Sequence, residues 1–297
     1  MAARFSSPYD IRRQVLLAGH TTWAVGGPVR ELFTPASEGE LAAFWQARRP
    51  DPADVLWLGL GSNLLVRDGG LRGLAIATHP ALGGVEFQPQ GRVWLGAGTP
   101  CAKVARQTRR RGLTGAEFLA GIPGTIGGAL AMNAGAFGGE IWPLVRRVRV
   151  LDAAGRIHER RREDYTAGYR ELRGPAGDAG FLAAQLQLAP LTDEVDDPIR
   201  PLLARRAATQ PLGERSCGSV FRNPPGDHAA RLIEAAGLKG AAVGEAVVSP
   251  KHANFIINRG AASALDIERL IGQVRATVAA HAGVVLRPEV RVVGEFA

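Results

Sequence analysis

Short runs of apolar and β-branched residues alternate with glycine-containing turns through the first two thirds of the chain. Runs of this length, bounded by turn residues, are typical of β-strands. The strands that the pattern predicts lie at residues 55–58, 74–78, 93–95, 145–152 and 181–186. The amino-terminal part is therefore expected to be built mainly on sheets.

Two amphipathic helices are predicted in the same part of the chain. Ser37 precedes a helical pattern that continues to Arg49, and Glu40 three residues later has the spacing of a capping box. Thr99 opens a second, basic helix that runs to Arg111.

The pattern changes after residues 192–201, an acidic segment with Pro198 that is predicted to be a domain boundary. Beyond it the spacing predicts helices over 228–236 and 263–281, and strands over 219–222, 253–258 and 289–293. Mixed elements of this kind predict a compact α+β unit.

Composition places the chain among ordinary globular proteins. The 297 residues are 46% hydrophobic and 22% charged, which excludes a disordered, collagenous or coiled-coil protein. No run of eighteen apolar residues occurs, and no apolar stretch follows a basic cluster at the amino end. Neither a membrane span nor a signal peptide is therefore predicted, and a cytoplasmic location is expected. Cys101 and Cys217 lie far apart with no Cys or His at ligand spacing, so neither a disulfide framework nor a metal site is predicted.

Charge adds an expectation about ligands. The formal net charge is +8, and three of the 36 basic residues are lysine. A basic chain attracts nucleic acid, acidic membrane surfaces, or small ligands with phosphate or carboxylate groups. The basic clusters at 109–111 and 160–162 lack interleaved aromatic residues, so a solvated basic face is favoured over a nucleic-acid site. A basic nucleic-acid-binding protein remains the alternative from a different functional class.

The densest glycine segment spans residues 121–135 and has four glycines between positions 121 and 128. Glycine lets backbone N–H groups approach a ligand directly, and successive amides can form a concave nest for a pyrophosphate. A set of tight turns is the alternative explanation. Ligand approach is favoured because small residues and Asn133 follow the glycines.

A second glycine loop, residues 59–63, follows the predicted strand and places Ser62 and Asn63 at its end. Neither loop has the dinucleotide fingerprint G-x-G-x-x-G, because Leu64 stands where the third glycine belongs, and no G-x-x-x-x-G-K occurs. A Rossmann site and a P-loop are therefore disfavoured. Two separate loops suit a long ligand such as a flavin dinucleotide.

Polar residues of the last third supply candidate chemistry. Ser219 directly follows a glycine at the start of a predicted strand and can donate a proton, although a turn serine is the plainer explanation. Glu289 follows a proline between two arginines, for which charge pairing is the alternative. Lys251 and His252 stand together in a chain with few lysines, which indicates anion binding.

Seven segments, in this order, resemble the flavoprotein family of UDP-N-acetylenolpyruvoylglucosamine reductases of peptidoglycan synthesis, also called MurB. The segments are TWAVGG at 22–27, GLGSNLLV at 59–66, GIPGTIGGA at 121–129, YR at 169–170, GSVFRNP at 218–224, KHANFIIN at 251–258 and PEVR at 288–291. The resemblance spans most of the chain, and seven motifs in register are highly specific.

The resemblance implies an α+β fold in two parts. A vanillyl-alcohol-oxidase-like, PCMH-type FAD-binding module at 1–190, made of two α+β subdomains split near 75–80, precedes a carboxyl-terminal α+β substrate domain at 191–297. The implied reaction is NADPH-dependent reduction of UDP-N-acetylglucosamine enolpyruvate to UDP-N-acetylmuramate through non-covalently bound FAD. The implied enzyme is a cytoplasmic monomer without a nucleic-acid or membrane partner. Another FAD-dependent sugar or lactone oxidoreductase on the same scaffold is the alternative.

The resemblance also assigns roles to residues. Arg170 would stabilise the charge that develops beside the substrate carboxylate when hydride reaches C3, Glu289 would assist as a protonated donor, and Ser219 would deliver the final proton to C2. The implied cofactor-binding residues are Gly59, Gly61, Ser62, Asn63, Leu64, Gly121, Ile122, Pro123, Gly124, Thr125, Gly127, Gly128 and Asn133. The candidate substrate-binding residues are Tyr169, Asn223, Lys251 and His252, and no metal is implied.

The chain departs from the family pattern at several points. Glu171 and Leu172 follow the Tyr-Arg pair where a variable residue and then a serine are usual, and Arg215 stands where proline is common. The short substrate domain has no extra tyrosine-bearing loop, which indicates the shorter subtype of the family. The residues that hold the diphosphate are therefore left open.

Overall fold

The computed structural model describes residues 9–192 and 197–297. It divides into two compact units, of which the first comprises Met1–Val15, Val29–Gly59 and Arg72–Ile199, and the second comprises Leu16–Pro28, Leu60–Leu71 and Arg200–Ala297. Residues 193–196 of the segment predicted as a domain boundary lie outside the described residues. The predicted division into ligand-binding domains at residue 190 remains a prediction.

The described residues contain many short strands and fewer helices. The helices are α1 (Glu38–Arg48), α2 (Cys101–Arg110), α3 (Ile126–Met132), α4 (Ile199–Thr209), α5 (Ala229–Ala235) and α6 (Ala264–Ala282). The strands are β1 (Ile11–Leu16), β2 (Pro28–Phe33), β3 (Val55–Leu58), β4 (Leu64–Val66), β5 (Leu71–Ala77), β6 (Val85–Gln88), β7 (Arg92–Gly96), β8 (Leu113–Thr114), β9 (Gly135–Ala136), β10 (Gly139–Glu140), β11 (Val145–Asp152), β12 (Ile157–Arg161), β13 (Thr166–Gly168), β14 (Glu171–Arg173), β15 (Asp178–Gln187), β16 (Ala189–Pro190), β17 (Ala242–Val243), β18 (Ala246–Val248), β19 (Ile256–Asn258) and β20 (Arg291–Val293).

A four-stranded sheet in the order β1-β2-β5-β3 lies in the first unit, with β3 parallel to β5. Helix α1 covers it: Phe44 and Trp45 are fully buried in one core with Phe33 of β2 and Leu182 of β15. The Phe33 and Phe44 rings stack with their centroids 4.1 Å apart. Burial of large aromatic side chains on one face is the main stabilising contribution to this helix.

The first unit also contains a five-stranded sheet in the order β12-β11-β15-β7-β6, antiparallel throughout. Helix α3 is joined to the end of β7, because the Gly127 N–H donates to the Ala97 carbonyl at 2.8 Å. A Cβ atom at position 127 would lie 3.1 Å from the Ala97 Cβ, so glycine permits this close approach.

In the second unit, the antiparallel sheet β17-β18-β19 packs with α5 and α6 around an apolar core. Helix α6 begins with a reciprocal capping box between Ser263 and Asp266 and ends at Gly283 in the left-handed conformation. Strand β20 pairs in parallel with β4, so Arg291 lies opposite Leu64.

Most of the predicted elements are observed with small shifts of their ends. The strands predicted at 55–58 and 145–152 are β3 and β11 with the same bounds, and the helices predicted at 228–236 and 263–281 are α5 and α6. The predicted capping box of α1 is half correct. Ser37 accepts the Glu40 N–H at 3.1 Å, but the Glu40 carboxylate accepts the N–H of Ala36 instead of that of Ser37.

The strand predicted at 219–222 is wrong. Within that stretch only Phe221 forms a bridge, an isolated one with Pro288. The strands predicted at 253–258 and 289–293 are shortened to β19 and β20, and helices α3 and α4 were not predicted. Ser219 and Glu289 consequently lie in irregular segments that hydrogen bonds with other parts of the chain hold in place.

Asp152 fastens the turn between β11 and β12. Its Oδ1 accepts the N–H groups of Ala154 and Arg156 at 2.9 and 2.8 Å, and its Oδ2 contacts His158 Nε2 at 2.8 Å. Burial opposes the charged form of this carboxyl, but hydrogen bonds from the Arg156 amide and from His158 outweigh it and hold the pKa of Asp152 below its usual range.

We expect Asp152→Ala to lower the free energy of unfolding at pH 7 by about 1–3 kcal/mol, because the turn amides of Ala154 and Arg156 and the His158 ring lose their charged acceptor. Since the folded-state pKa lies below the unfolded value of about 3.9, the charged contribution is fully present above that value and is lost as the pH falls through the folded-state pKa. The difference in free energy of unfolding between wild type and variant, measured by urea unfolding, should therefore become smaller as the pH is lowered from 7 to 3. Glu163→Ala, which removes an exposed carboxylate, is the control. A difference in free energy of unfolding that does not change with pH would contradict the contribution assigned to the charged carboxylate.

Candidate functional site

Residues 217–223, here called the serine segment, run irregularly through the second unit. Ser219 is partly exposed and follows Gly218, whose φ is +80°. The next two residues are fixed by Asn254: the Val220 N–H donates to the Asn254 carbonyl at 2.9 Å. The Phe221 N–H donates to Asn254 Oδ1 at 2.9 Å, and Asn254 Nδ2 donates to the Phe221 carbonyl at 2.8 Å.

Residues 286–291, the glutamate segment, lie directly beside the serine segment. The Glu289 N–H donates to the Val220 carbonyl at 2.8 Å, and the Arg222 N–H donates to the Arg287 carbonyl at 2.9 Å. The structure therefore brings Ser219 and Glu289, two of the three predicted catalytic residues, onto hydrogen-bonded neighbouring segments of one unit.

The Glu289 carboxylate lies close enough to the Cys217 thiol to affect it. Burial raises the pKa of Cys217 well above its ordinary value, and the negative charge of Glu289 adds to the shift. The thiol is therefore protonated at pH 7 and is a small packed residue rather than a nucleophile.

Asn63 and Leu64 of the second glycine loop lie along the glutamate segment. Asn63 Nδ2 donates to the Glu289 carbonyl at 3.0 Å, and the Arg291 N–H donates to the Asn63 carbonyl at 3.1 Å. In the same loop Gly61 has a φ of +62°, and a Cβ there would lie 2.0 Å from the His20 carbonyl oxygen. Only glycine fits this position.

Arg170 occupies the turn of the short hairpin formed by β13 and β14 in the first unit, here called the arginine hairpin. It has a φ of +55°, a conformation that costs a non-glycine residue free energy. Its guanidinium donates to the Gly135 carbonyl at 3.0 Å and to the Asn133 carbonyl at 3.4 Å, and it lies 5.3 Å from the centroid of the exposed Tyr169 ring.

The Asn133 side chain is bound within the first unit. The residue is 1% exposed and caps α3 with a φ of +45°. Its Nδ2 donates to Glu140 Oε2 at 2.8 Å and to the Gly168 carbonyl at 3.0 Å, while its Oδ1 accepts the Trp142 N–H at 3.3 Å. This carboxamide, predicted to bind cofactor, therefore holds the loop that follows α3 to the arginine hairpin.

The dense glycine segment folds into a turn followed by α3, and its glycines meet different surroundings. A Cβ at Gly59 would lie 2.5 Å from Thr125 Oγ1, so the end of β3 touches the start of α3. A Cβ at Gly121 would lie 2.4 Å from the Phe137 ring, whereas one at Gly128 would meet Thr125 Oγ1 alone, at 3.9 Å. Several of these glycines therefore permit internal packing, and Gly128 leaves its backbone open.

These residues fit a group that carries a pyrophosphate. In the first turn of α3 the N–H groups of Ile126 and Gly127 donate to the carbonyls of Thr99 and Ala97. The Gly128 N–H has no backbone acceptor among the described residues, and the side chain of the N-cap Thr125 forms no capping bond. An open glycine amide beside a hydroxyl is the uncharged donor set that phosphate oxygens accept.

Three of the predicted substrate-binding residues make contacts inside the second unit. Asn223 Oδ1 accepts the N–H of Ala229 at the start of α5 at 3.0 Å, and Lys251 Nζ donates to the Ala207 carbonyl in the last turn of α4 at 2.5 Å. Burial lowers the pKa of His252, so its ring is neutral at pH 7. Of the Lys251–His252 pair, the lysine alone brings positive charge.

Two polar residues near the serine segment were not singled out from the sequence. Asn254 stands within an apolar stretch just before β19, and a buried amide in such a position signals a specific partner. Arg222 has a buried Nε with no hydrogen-bond partner in the part of the chain that the structure describes. Arg222 lies within the GSVFRNP motif at 218–224, and membership of that motif is the sequence signal that could have pointed to it.

The described residues contain no group of three or more His, Cys, Asp or Glu side chains arranged to hold a metal ion. Across residues 9–192 and 197–297, no helix has both the length and the apolar composition that a membrane span requires.

Comparison with known proteins finds matches to parts of both units. Residues 29–160 match the FAD binding domain family, and residues 210–293 match the UDP-N-acetylenolpyruvoylglucosamine reductase C-terminal domain family. The UDP-N-acetylenolpyruvoylglucosamine reductase of Methylococcus capsulatus is 56% identical over 94% of this chain and 91% of its own length. That of Alkalilimnicola ehrlichii is 53% identical over 99% and 98%.

A solved structure gives the same result. The crystal structure of the UDP-N-acetylenolpyruvylglucosamine reductase (MurB) from Thermus caldophilus has a TM-score of 0.77 and 35% identity, covering 96% of this chain and 99% of its own. The predicted α+β fold, with an FAD-binding module and a carboxyl-terminal domain, is confirmed by these matches. The chain belongs to the UDP-N-acetylenolpyruvoylglucosamine reductase family.

Proposed function

We infer that this protein reduces UDP-N-acetylglucosamine enolpyruvate to UDP-N-acetylmuramate, with NADPH as the electron donor. Family membership over nearly the whole chain supports the reaction. The observation on which the assignment of its chemistry rests is the backbone bond from the Glu289 N–H to the carbonyl of Val220, the residue that follows Ser219. Neither the nucleic-acid-binding alternative nor another sugar or lactone oxidoreductase receives support from the comparisons.

The reaction adds one hydride and one proton across a carbon–carbon double bond. Hydride reaches C3 of the enolpyruvyl group, a proton reaches C2, the double bond becomes a single bond, and NADPH becomes NADP⁺. FAD, which Thr125 and Gly128 would help to hold, would supply the chemistry of hydride transfer between NADPH and C3. The remaining task of the protein is to stabilise negative charge at C2 and to supply the proton.

We assign these tasks to three residues. The Arg170 guanidinium supplies positive charge beside the substrate carboxylate, where charge accumulates as hydride arrives. Glu289, when protonated, supplies a further donor there, and the Ser219 hydroxyl gives its proton to C2. A neutral hydroxyl is a weak acid, so the position of the Ser219 hydroxyl relative to C2 and to the other two residues decides how fast it donates its proton.

Binding roles follow from the glycine loops and the charged residues. The open amide of Gly128 and the hydroxyl of Thr125 would hold the FAD pyrophosphate, and the other predicted glycine-loop residues are retained as cofactor-binding candidates. Tyr169, Asn223, Lys251 and His252 are retained as candidates for the sugar nucleotide. We further propose the division into an FAD-binding module at 1–190 and a substrate domain at 191–297.

We propose a cytoplasmic setting and a monomeric state, without a nucleic-acid or membrane partner. The sugar nucleotide and NADPH are both small anions, and the net charge of +8 suits such ligands. Through peptidoglycan precursor synthesis the enzyme would contribute to cell wall biogenesis, cell shape and cell division.

An anaerobic spectral titration tests this function. The purified protein should show a yellow flavin absorbance that bleaches with one equivalent of NADPH and returns on addition of UDP-N-acetylglucosamine enolpyruvate. Absorbance that returns only when oxygen is admitted would favour an oxidase on the same scaffold. A colourless protein that FAD does not reconstitute would overturn the flavoenzyme assignment.

A further inference from the structure

Asn254 has an unusual set of contacts for a buried amide. The residue is 4% exposed, and both ends of its carboxamide bond to one other residue, accepting from the Phe221 N–H at 2.9 Å and donating to the Phe221 carbonyl at 2.8 Å. Its own backbone carbonyl accepts the Val220 N–H at 2.9 Å. Asn254 therefore binds three polar groups of two consecutive residues in the serine segment.

These bonds replace a strand neighbour that the serine segment lacks. Apart from the isolated bridge of Phe221 with Pro288, the segment has no ladder of backbone bonds. The Val220 carbonyl, between the groups that Asn254 binds, accepts the Glu289 N–H at 2.8 Å. Asn254, the serine segment and the glutamate segment thus form one hydrogen-bonded chain.

Ser219 stands at the free end of this chain. It precedes the clamped pair Val220–Phe221 and follows Gly218, which has a φ of +80°. Among the described residues, a Cβ at position 218 would meet no atom within 4 Å beyond its two chain neighbours. Gly218 therefore adds no side-chain packing that holds Ser219, whereas the bonds of Val220 and Phe221 to Asn254 fix the backbone on its carboxyl side.

We propose that Asn254 is a positioning residue for the protonation of C2: its carboxamide fixes the backbone that aims the Ser219 hydroxyl and keeps it in register with Glu289. This inference rests on the proposed function and adds to it a residue that does not touch the substrate. Proton transfer requires donor and acceptor within hydrogen-bond distance, and displacement by about 1 Å can cost a factor of about 100 in rate.

The expected effect of Asn254→Ala is confined to one half of the reaction. Reduction of UDP-N-acetylglucosamine enolpyruvate should slow by about 10–100-fold, with kcat falling and the KM for this substrate nearly unchanged, because the proton is transferred only in the transition state. Oxidation of NADPH should keep its wild-type rate. Asn254→Asp, which keeps an acceptor for the Phe221 N–H and loses the donor to its carbonyl, should show a smaller effect in the same direction.

A double-mutant cycle distinguishes positioning from general loosening. The two half-reactions are measured by anaerobic stopped flow on FAD-loaded wild type, Asn254→Ala, Ser219→Ala and the double variant, and urea midpoints are recorded for each. If Asn254 acts through Ser219, Asn254→Ala changes substrate reduction by less than about twofold in the Ser219→Ala background. If Asn254→Ala slows substrate reduction by the same factor in wild type and in Ser219→Ala, the two effects are additive and the proposal is overturned.

Asn258→Ala is the matched control. Asn258 is 3% exposed and also binds backbone through its carboxamide, donating to the Trp23 carbonyl at 2.8 Å and accepting the N–H groups of Gly260 and Ala262 at 2.8 and 3.0 Å. Its loss should lower the urea midpoint as Asn254→Ala does, without the selective loss of substrate reduction. A selective loss in Asn258→Ala as well would refute the specific role of Asn254. If wild type itself fails to reduce the substrate, the proposed function fails instead.

Discussion

Replacing Ser219 by alanine is expected to slow reduction of UDP-N-acetylglucosamine enolpyruvate by about a thousandfold or more, while NADPH oxidation stays within about twofold of wild type. The hydroxyl is needed only when a proton must reach C2, and NADPH oxidation has no such step. The Glu289 N–H donates to the carbonyl of Val220, so the residue that would share the substrate carboxylate pairs with the direct neighbour of the serine.

The measurement separates the two half-reactions under anaerobic conditions. Ser216→Ala is the control, because Ser216 is a partly exposed serine in the same region and has no assigned role. The neighbouring Cys217 cannot take over proton donation, since burial keeps its thiol packed in the core. A loss of equal size in both half-reactions would show that Ser219 supports the fold or the cofactor and is not the proton donor.

Elements with a strong local pattern could be predicted from the sequence. Helix α6 has its cap at Ser263, its stop at Gly283 and a buried stripe between them, so local chemistry defines both ends. Helix α3 could not be predicted in this way, because Gly127 and Gly128 lower helix propensity, and Gly127 permits close packing on Ala97. Helix α4 escapes prediction because Pro201 beside an acidic segment suggests a linker, whereas proline is tolerated in a first helical turn.

The serine segment shows why a motif can be recognised correctly while its secondary structure is predicted wrongly. Val220 and Phe221 are apolar and buried, as in a strand, but their polar groups bond to Asn254, which is 33 residues from Phe221 in the chain. No local pattern contains that information. The motif residues Ser219 and Glu289 could therefore be named from the sequence, while the amide that holds them in register required the tertiary structure.

The same limit applies in the first unit. Asn133 stays a predicted cofactor-binding residue, and the structure adds that its carboxamide bonds to Glu140, Gly168 and Trp142. These partners come from three different segments, which only the fold brings together. That this carboxamide holds the loop after α3 could therefore not be predicted from the sequence.

Arg170→Gly is expected to reduce the rate of substrate reduction by about 100–1000-fold while changing the free energy of unfolding by no more than about 1 kcal/mol. Arg170 has a φ of +55°, which costs an arginine about 1–2 kcal/mol and glycine almost nothing. Relief of this strain offsets the loss of the hydrogen bonds to the Asn133 and Gly135 carbonyls. A turn that retains arginine against this cost indicates a functional demand on its side chain.

Arg170→Lys should behave in the opposite way. Lysine keeps the charge but lacks the planar fork of donors, and it keeps the unfavourable φ, so this variant should be less stable than Arg170→Gly and yet retain more activity. Urea midpoints and anaerobic half-reaction rates for both variants test this inversion, with Arg173→Ala of the same hairpin, whose guanidinium pairs with Glu171 at the surface, as the control. If Arg170→Gly is both less stable and less active than Arg170→Lys, the main role of Arg170 is to stabilise the hairpin. Its role at the substrate carboxylate must then be assigned to another cation.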